Sequence, residues 1–412
     1  MNKVNTLIIF FSVFFLGSVF STEILKEGVL LQKNHFEDSL AEKKVSPIVG
    51  AKTCPCRRDS LIDYFAAGML KNNSGDFNHA IACFTMALEL DPSSASAYLN
   101  RAFAKKQLMD YKSALSDYNH AIRLKLSWEE SYEAYYNRGL TEALLSDLSG
   151  AMANFNHAIQ INSGFADAFF NRSIVKGMIG DYPGELADIN KAISLNPSDS
   201  KAFNSKGIVE SVIGDVAAAL KDFTHAIVLD KTNSSAYFNR ALLLDDMKDY
   251  QEALTDFNTA IKIKPDAEIF NRRANVKCRL NDFRGAMEDY DVAIKMQPSY
   301  YVAYVNRGCL KCDLKDYKSA IEDYTIAIRA KHDYSLAYYS RGIAKGKLAD
   351  HKGEIEDYTF AIIYEPNYDN AYNQRGMAKY QIGDKAGGCQ DLNNAVKLGS
   401  DTAYNNLIQY CK

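Results

Sequence analysis

Three kinds of residue in this 412-residue chain could do chemistry: cysteines, histidines, and basic residues that recur in step with acids. The eight cysteines are Cys54, Cys56, Cys83, Cys278, Cys309, Cys312, Cys389 and Cys411. They are too few for a disulfide-built scaffold of this length. Cys54-Pro55-Cys56 is a C-x-C, not the C-x-x-C of redox folds, and its spacing leaves its role open. Cys309 and Cys312 would share a helix face, where an i,i+3 bridge is strained. With Cys278 they lack a fourth metal ligand at suitable spacing, so thiols are expected there and a metal site is not. His120, His157 and His225 stand at least one repeat apart in Asn-His-Ala-Ile and Thr-His-Ala-Ile, too far for shared coordination. There is no H-E-x-x-H, no G-x-S-x-G, no phosphate loop and no dinucleotide fingerprint. The expectation is a protein that is not an enzyme and needs no cofactor.

These residues sit on an internal repeat. Ala-Ile or a close variant recurs at Ala87, Ala121, Ala158, Ala192, Ala226, Ala260, Ala293, Ala327, Ala361 and Ala395, at intervals of 34 broken once by 37 and once by 33. Such a period marks stacked supersecondary units. The chain divides into ten units: 61–94, 95–128, 132–165, 166–199, 200–233, 234–266, 267–300, 301–334, 335–368 and 369–402. Counting within a unit, position 4 is aromatic (Tyr64, Tyr98, Tyr135), position 8 is small (Gly68, Ala102, Gly139) and position 24 is large and apolar (Phe84, Tyr118, Phe155). Position 16 is Asp in all ten, from Asp76 to Asp384, an N-cap for a second helix worth ~1 kcal/mol. Five of the eight prolines (Pro92, Pro197, Pro265, Pro298 and Pro366) fall just past that helix, where a missing N–H stops it.

Position 7 is basic in nine consecutive units: Arg101, Arg138, Arg172, Lys206, Arg240, Arg273, Arg307, Arg341 and Arg375. Position 23 is acidic in eight of those nine: Asp117, Asp188, Asp222, Asp256, Asp289, Asp323, Asp357 and Asp391, with Asn154 the exception. The first unit lacks both partners, having Ala67 and Cys83. Charge and counter-charge that come and go together predict an ion pair tying the two helices of a unit. The rival reading is a basic ladder for an anionic ligand, but each cation has its own acid nearby.

The pattern resembles the tetratricopeptide repeat family, over residues 61–402. That resemblance implies an all-α protein: a right-handed superhelical solenoid of about ten 34-residue helix-turn-helix repeats, with residues 403–412 as a capping helix. Cys389 and Cys411 lie where the last two helices could meet, and they are the candidate disulfide. The resemblance also implies that positions 2, 5, 9, 12 and 13 of the first helices line a concave groove. Some relatives bind an acidic C-terminal peptide there through Lys and Asn at positions 5 and 9. Here those positions are mostly apolar, so that clamp is not expected. The candidate partner-binding residues are Phe65, Leu99, Phe103, Tyr136, Leu140, Phe170, Ile174, Phe238 and Leu242, with Asp245 and Asp246 in a polar middle that also holds Lys201, Asn204, Glu268, Asn271 and Asn275. An exposed apolar stripe marks a partner surface. The alternative is that these side chains pack against neighbouring first helices as core.

Residues 1–21 read as a signal peptide: Lys3, an apolar run from Leu7 to Phe20, and Val19-Phe20-Ser21 as a cleavage site. The run is shorter than the ~18–20 residues of a membrane span. Residues 22–60 read as a largely irregular linker with one short helix around Glu27–Gln32. Apolar residues make up 47% and charged residues 24%, the balance of a folded soluble protein, and the net charge of −3 carries no basic excess for nucleic acid. The whole reads as an exported scaffold, periplasmic or secreted, that binds a protein or peptide. No nucleic acid is expected, and no integral membrane segment after signal removal. The alternatives are a membrane-tethered adaptor with an uncleaved N-terminal segment, or a self-assembling structural protein.

Overall fold

The computed structural model describes Cys54, residues 60–124 and residues 126–411. The expected signal peptide, 1–21, and all of the expected linker except Cys54 and Ser60 lie outside the described residues. Among the described residues there are twenty-one helices. Up to Lys231 they form one compact unit of five hairpins. These are α1 (Leu61–Asn73) with α2 (Phe77–Leu90), α3 (Ala95–Gln107) with α4 (Tyr111–Arg123), α5 (Trp128–Leu144) with α6 (Leu148–Ile161), α7 (Ala166–Met178) with α8 (Tyr182–Leu195), and α9 (Ser200–Val212) with α10 (Val216–Leu229). From Thr232 onward a second compact unit holds five more hairpins and a final helix. Its pairs are α11 (Ser234–Asp246) and α12 (Tyr250–Ile263), α13 (Ala267–Arg279) and α14 (Phe283–Met296), α15 (Tyr301–Asp313) and α16 (Tyr317–Ala330), α17 (Ser335–Lys347) and α18 (His351–Tyr364), α19 (Asp369–Gln381) and α20 (Lys385–Lys397). The final helix is α21 (Asp401–Tyr410).

Each hairpin turns through one left-handed residue at position 15. Its φ lies between 61° and 93° in all ten turns, yet only Gly75, Gly180, Gly214 and Gly383 are glycines. Met109, Ser146, Lys248, Asn281, Lys315 and Ala349 adopt it with a side chain, at roughly 1–2 kcal/mol each. Two hydrogen bonds hold the turn: Met109 N–H reaches the Lys106 carbonyl at 2.9 Å, and Asp110 N–H reaches the Lys105 carbonyl at 3.0 Å. The Asp at position 16 then caps the second helix through its side chain in nine of the ten hairpins, Asp249 being the exception. The extra residues near 126–130 extend α5 at its start, where Ser127 and Glu130 form a capping box. That helix therefore begins four residues ahead of the unit boundary read from the sequence.

Within a hairpin the small residue at position 8 faces the large one at position 24. A Cβ on Gly68 would stand 2.6 Å from the Phe84 ring. The last hairpin goes further, because a Cβ on Gly388 would stand 2.7 Å from the Gly376 carbonyl oxygen. Between hairpins of one unit, a second helix receives the next first helix: Phe84, Ala87 and Leu88 pack with Ala97 and Ala104, and Tyr290 packs with Leu310. No hairpin buries its apolar face alone, and stability is roughly a sum of neighbour terms.

Two substitutions test this grammar by urea denaturation. Ala349→Gly should stabilise by up to about 1 kcal/mol, because relief of the left-handed backbone exceeds glycine's added chain entropy. Gly388→Ala should destabilise by about 1–3 kcal/mol despite alanine's better helix propensity, since backbone opposes the new methyl.

Candidate partner-binding face

The guanidinium at position 7 makes three kinds of contact at once. Arg101 grips Asp117 with Nε at 2.8 Å and Nη2 at 2.9 Å, and donates through Nη1 to Thr85 of the preceding hairpin at 3.1 Å. Its carbon also lies 5.4 Å from the Tyr98 ring centre at position 4. The two-point grip recurs at Arg172–Asp188, Arg240–Asp256, Arg273–Asp289, Arg307–Asp323, Arg341–Asp357 and Arg375–Asp391. The reach to position 25 of the preceding hairpin recurs at Arg172–Asn156, Arg273–Asn258, Arg307–Asp291, Arg341–Thr325 and Arg375–Thr359. A third member was missed in the sequence. Lys at position 11 adds a second cation to the same carboxylate, as in Lys105–Asp117 at 2.7 Å and Lys345–Asp357 at 2.8 Å. Lysine recurring at 34-residue intervals was the signal that could have found it.

Besides the first hairpin, two others break the arginine–aspartate pattern and compensate. At Asn154 the amide accepts from Arg138 Nε at 2.8 Å and donates to Glu142 at 2.5 Å, so a neutral residue stands opposite one cation and one anion. In α9 and α10 the cation is Lys206, 2.6 Å from Asp222 and 3.4 Å from Glu210. Burial, and then the neighbouring Asp222, push the Glu210 carboxyl up to about 7.

The candidate residues separate by burial. Leu99, Leu140, Ile174 and Phe238 are core, 3–8% exposed, and do not line an open surface. Leu99 packs with Ala102 and Tyr118, Leu140 and Ile174 with Phe155 and Val175, and Phe238 against Phe257 with ring centres 6.0 Å apart. Each of these side chains is taken up against a large ring on a second helix, Tyr118, Phe155 or Phe257. Phe65, Phe103, Tyr136, Phe170 and Leu242 are half-buried. Asp246 is exposed, whereas Asp245 is taken by Arg279 of α13, whose guanidinium also lies 5.5 Å from the Tyr250 ring centre. The polar middle therefore offers less to a ligand than its composition suggests. Lys106, not singled out in the sequence, donates to the neutral Asn137 Oδ1 at 2.8 Å and lies 5.4 Å from the Phe103 ring centre. Burial lowers its pKa to about 8.

Disulfides join Cys389 to Cys411 and Cys54 to Cys83. The first fastens α21 to α20, and the second was not anticipated. Cys278, Cys309 and Cys312 are free thiols. Tyr324 Oη donates to Cys309 and Cys312 at 3.5 and 3.6 Å, and burial pushes the Cys309 thiol up to about 12. Such thiols are poor nucleophiles at neutral pH. Among the described residues no cluster of His, Cys, Asp and Glu could hold a metal ion, and no helix is long and apolar enough to cross a membrane.

Stacked hairpins with one repeated ionic node define a helical-repeat protein of the α-solenoid class. Residues 234–266 and 64–94 each match a model described as tetratricopeptide repeat. The chain is 42% identical over 60 residues to Protein STIP1 homolog from Dictyostelium discoideum, covering 15% of this chain and 11% of that protein. It is 40% identical over 62 residues to Tetratricopeptide repeat protein 36 homolog from Nematostella vectensis, covering 15% and 34%. The aligned stretch thus spans about a third or less of either relative's length. Among solved structures it is similar to the Cut9–Hcn1 hetero-tetramer of the APC/C, with a TM-score of 0.48 and 12% identity over 86% of this chain and 90% of that chain. A tetratricopeptide repeat protein from Parabacteroides merdae gives a TM-score of 0.48 and 18% identity over 60% and 99%.

The ionic node yields two expectations. Asp256→Leu alone should cost about 3–5 kcal/mol, while the double change Arg240→Leu with Asp256→Leu should cost less, by a denaturation double-mutant cycle. For Glu210 the folded protein holds its proton more tightly than the unfolded chain between pH 4.5 and 7. Its contribution therefore falls as pH rises through that window and stays low above it. Glu210→Gln should flatten this slope in melting temperatures recorded from pH 4.5 to 8.

Proposed function

We propose that this chain is an exported scaffold that binds a protein or peptide partner along its first helices. Tetratricopeptide repeat proteins mediate protein–protein interactions, and two segments here match that repeat. The observation that carries the site is a row of half-buried rings, Phe65, Phe103, Tyr136 and Phe170, at positions 5 and 9 of successive first helices α1, α3, α5 and α7. Rings held on one side by core and open on the other are the usual anchors of an interface. Lys106 stands beside Phe103 with a neutral amide as its acceptor. A partner with apolar side chains flanking an acidic one matches this row, presented as an amphipathic helix or an extended peptide.

Export rests on the basic start, apolar run and small cleavage-site residues of 1–21. The two disulfides are in keeping with an oxidising compartment such as a periplasm or the secretory route.

Capture from a native envelope or secretory extract tests the reading, comparing wild type with Phe103→Ser, Tyr136→Ser, Phe170→Ser. Circular dichroism must first show both equally folded. A partner held by wild type and reduced at least ~10-fold by the triple change is the expected result. Equal capture by both proteins would remove the first-helix row from the function.

A further inference from the structure

The first hairpin is where the repeat leaves an apolar face without the neighbour that covers it elsewhere. Position 10 of a first helix packs on the second helix of the preceding hairpin, as Ala104 does on Phe84 and Leu310 on Tyr290. In the nine later hairpins, from Ala104 to Ala378, this position is buried throughout. In α1 it is Leu70, 69% exposed. Ile62, 78% exposed, and the exposed Ala66 continue the same stripe at i, i+4 and i+8.

Cys83 says what arrives there. It occupies position 23, where later hairpins hold the acid gripped by position 7. The guanidinium at position 7 also reaches back to the preceding hairpin, as Arg101 does to Thr85. The border between positions 7 and 23 therefore looks toward the side from which a preceding hairpin would approach. In the first unit Ala67 leaves that border open, and Cys54 enters it through its disulfide to Cys83. The chain leading up to Cys54 is thus delivered to the uncovered side of α1. Within residues 22–53, Leu25, Val29, Phe36 and Leu40 are spaced to fall on one face of a helix.

We propose that residues 22–53 form an N-terminal cap, laying Leu25, Val29, Phe36 and Leu40 on Ile62, Ala66 and Leu70, with Cys54–Cys83 as its staple. This is the counterpart of α21, fastened at the other end by Cys389–Cys411.

The test is photo-crosslinking of the full chain, made under oxidising conditions with benzoyl-phenylalanine in place of Leu70. Leu70 is 69% exposed on the first hairpin, so the ring leaves the packing of α1 on α2 intact. Mass spectrometry of the digest should find the dominant crosslinks within one chain, to peptides from 22–53. Crosslinks mainly to a second copy, mainly to another protein, or to no peptide of that segment would overturn the proposal. In the same background, Leu25→Ser, Val29→Ser, Phe36→Ser should lower the yield at least ~10-fold, since three apolar contacts are lost. An unchanged yield would equally overturn it.

Discussion

A carboxylate at position 23 is withdrawn from water in hairpin after hairpin, with side-chain exposures of 1–6% where arginine holds it. A buried carboxylate is tolerated only with its charge matched and its oxygens supplied with donors. Arginine at position 7 does both with a planar fork and still has Nη1 to spare. That remaining donor goes to position 25 of the preceding hairpin, so one side chain sets the gap within a hairpin and the register between hairpins. The ring at position 4 lies against the same guanidinium, and lysine at position 11 completes the charge on the acid in six hairpins. The small residue at position 8 is then required, because helices drawn this close leave no room for a branched side chain opposite position 24.

The exceptions obey the same electrostatics. Where position 11 is Glu142, position 23 is the neutral Asn154, and no second anion is buried. Where position 11 is Glu210, Asp222 is kept, and two carboxylates share the single cation of Lys206. A proton held by Glu210 near neutrality is the physical consequence. Lysine cannot reproduce arginine's two-point grip, so this hairpin is held by a different and more pH-sensitive set of contacts.

A repeat array has two ends at which neighbour terms are missing. Both carry a disulfide in this chain. At the C-terminal end α21 covers the last hairpin, with Ala403 buried against Leu392 and Ala395, and Cys411 is bonded back to Cys389. At the N-terminal end the arginine–aspartate pair is absent and a covalent bond stands at its position 23. Among the described residues no hairpin precedes α1 to accept the third arm of an arginine, and the node is replaced there.

The period, the helix pairs, the aspartate caps and the charge pairing at positions 7 and 23 were legible in the sequence, because each is set by spacing along the chain. A residue such as Asp110 must cap the helix immediately after it, and Arg240 with Asp256 recur in phase with every other pair. The sequence could not say which apolar residues of the first helices stay open. Leu140 and Phe170 look alike as candidates, yet one is core and the other half-open, because that depends on the volume of side chains a whole repeat away. Asp245 looked available until folding brought Arg279 beside it, and Cys83 looked like a substitution until Cys54 met it. Local propensity and periodicity are properties of the chain, whereas burial, the partner of a charge and the pairing of a cysteine are decided only by the residues that folding brings across from elsewhere.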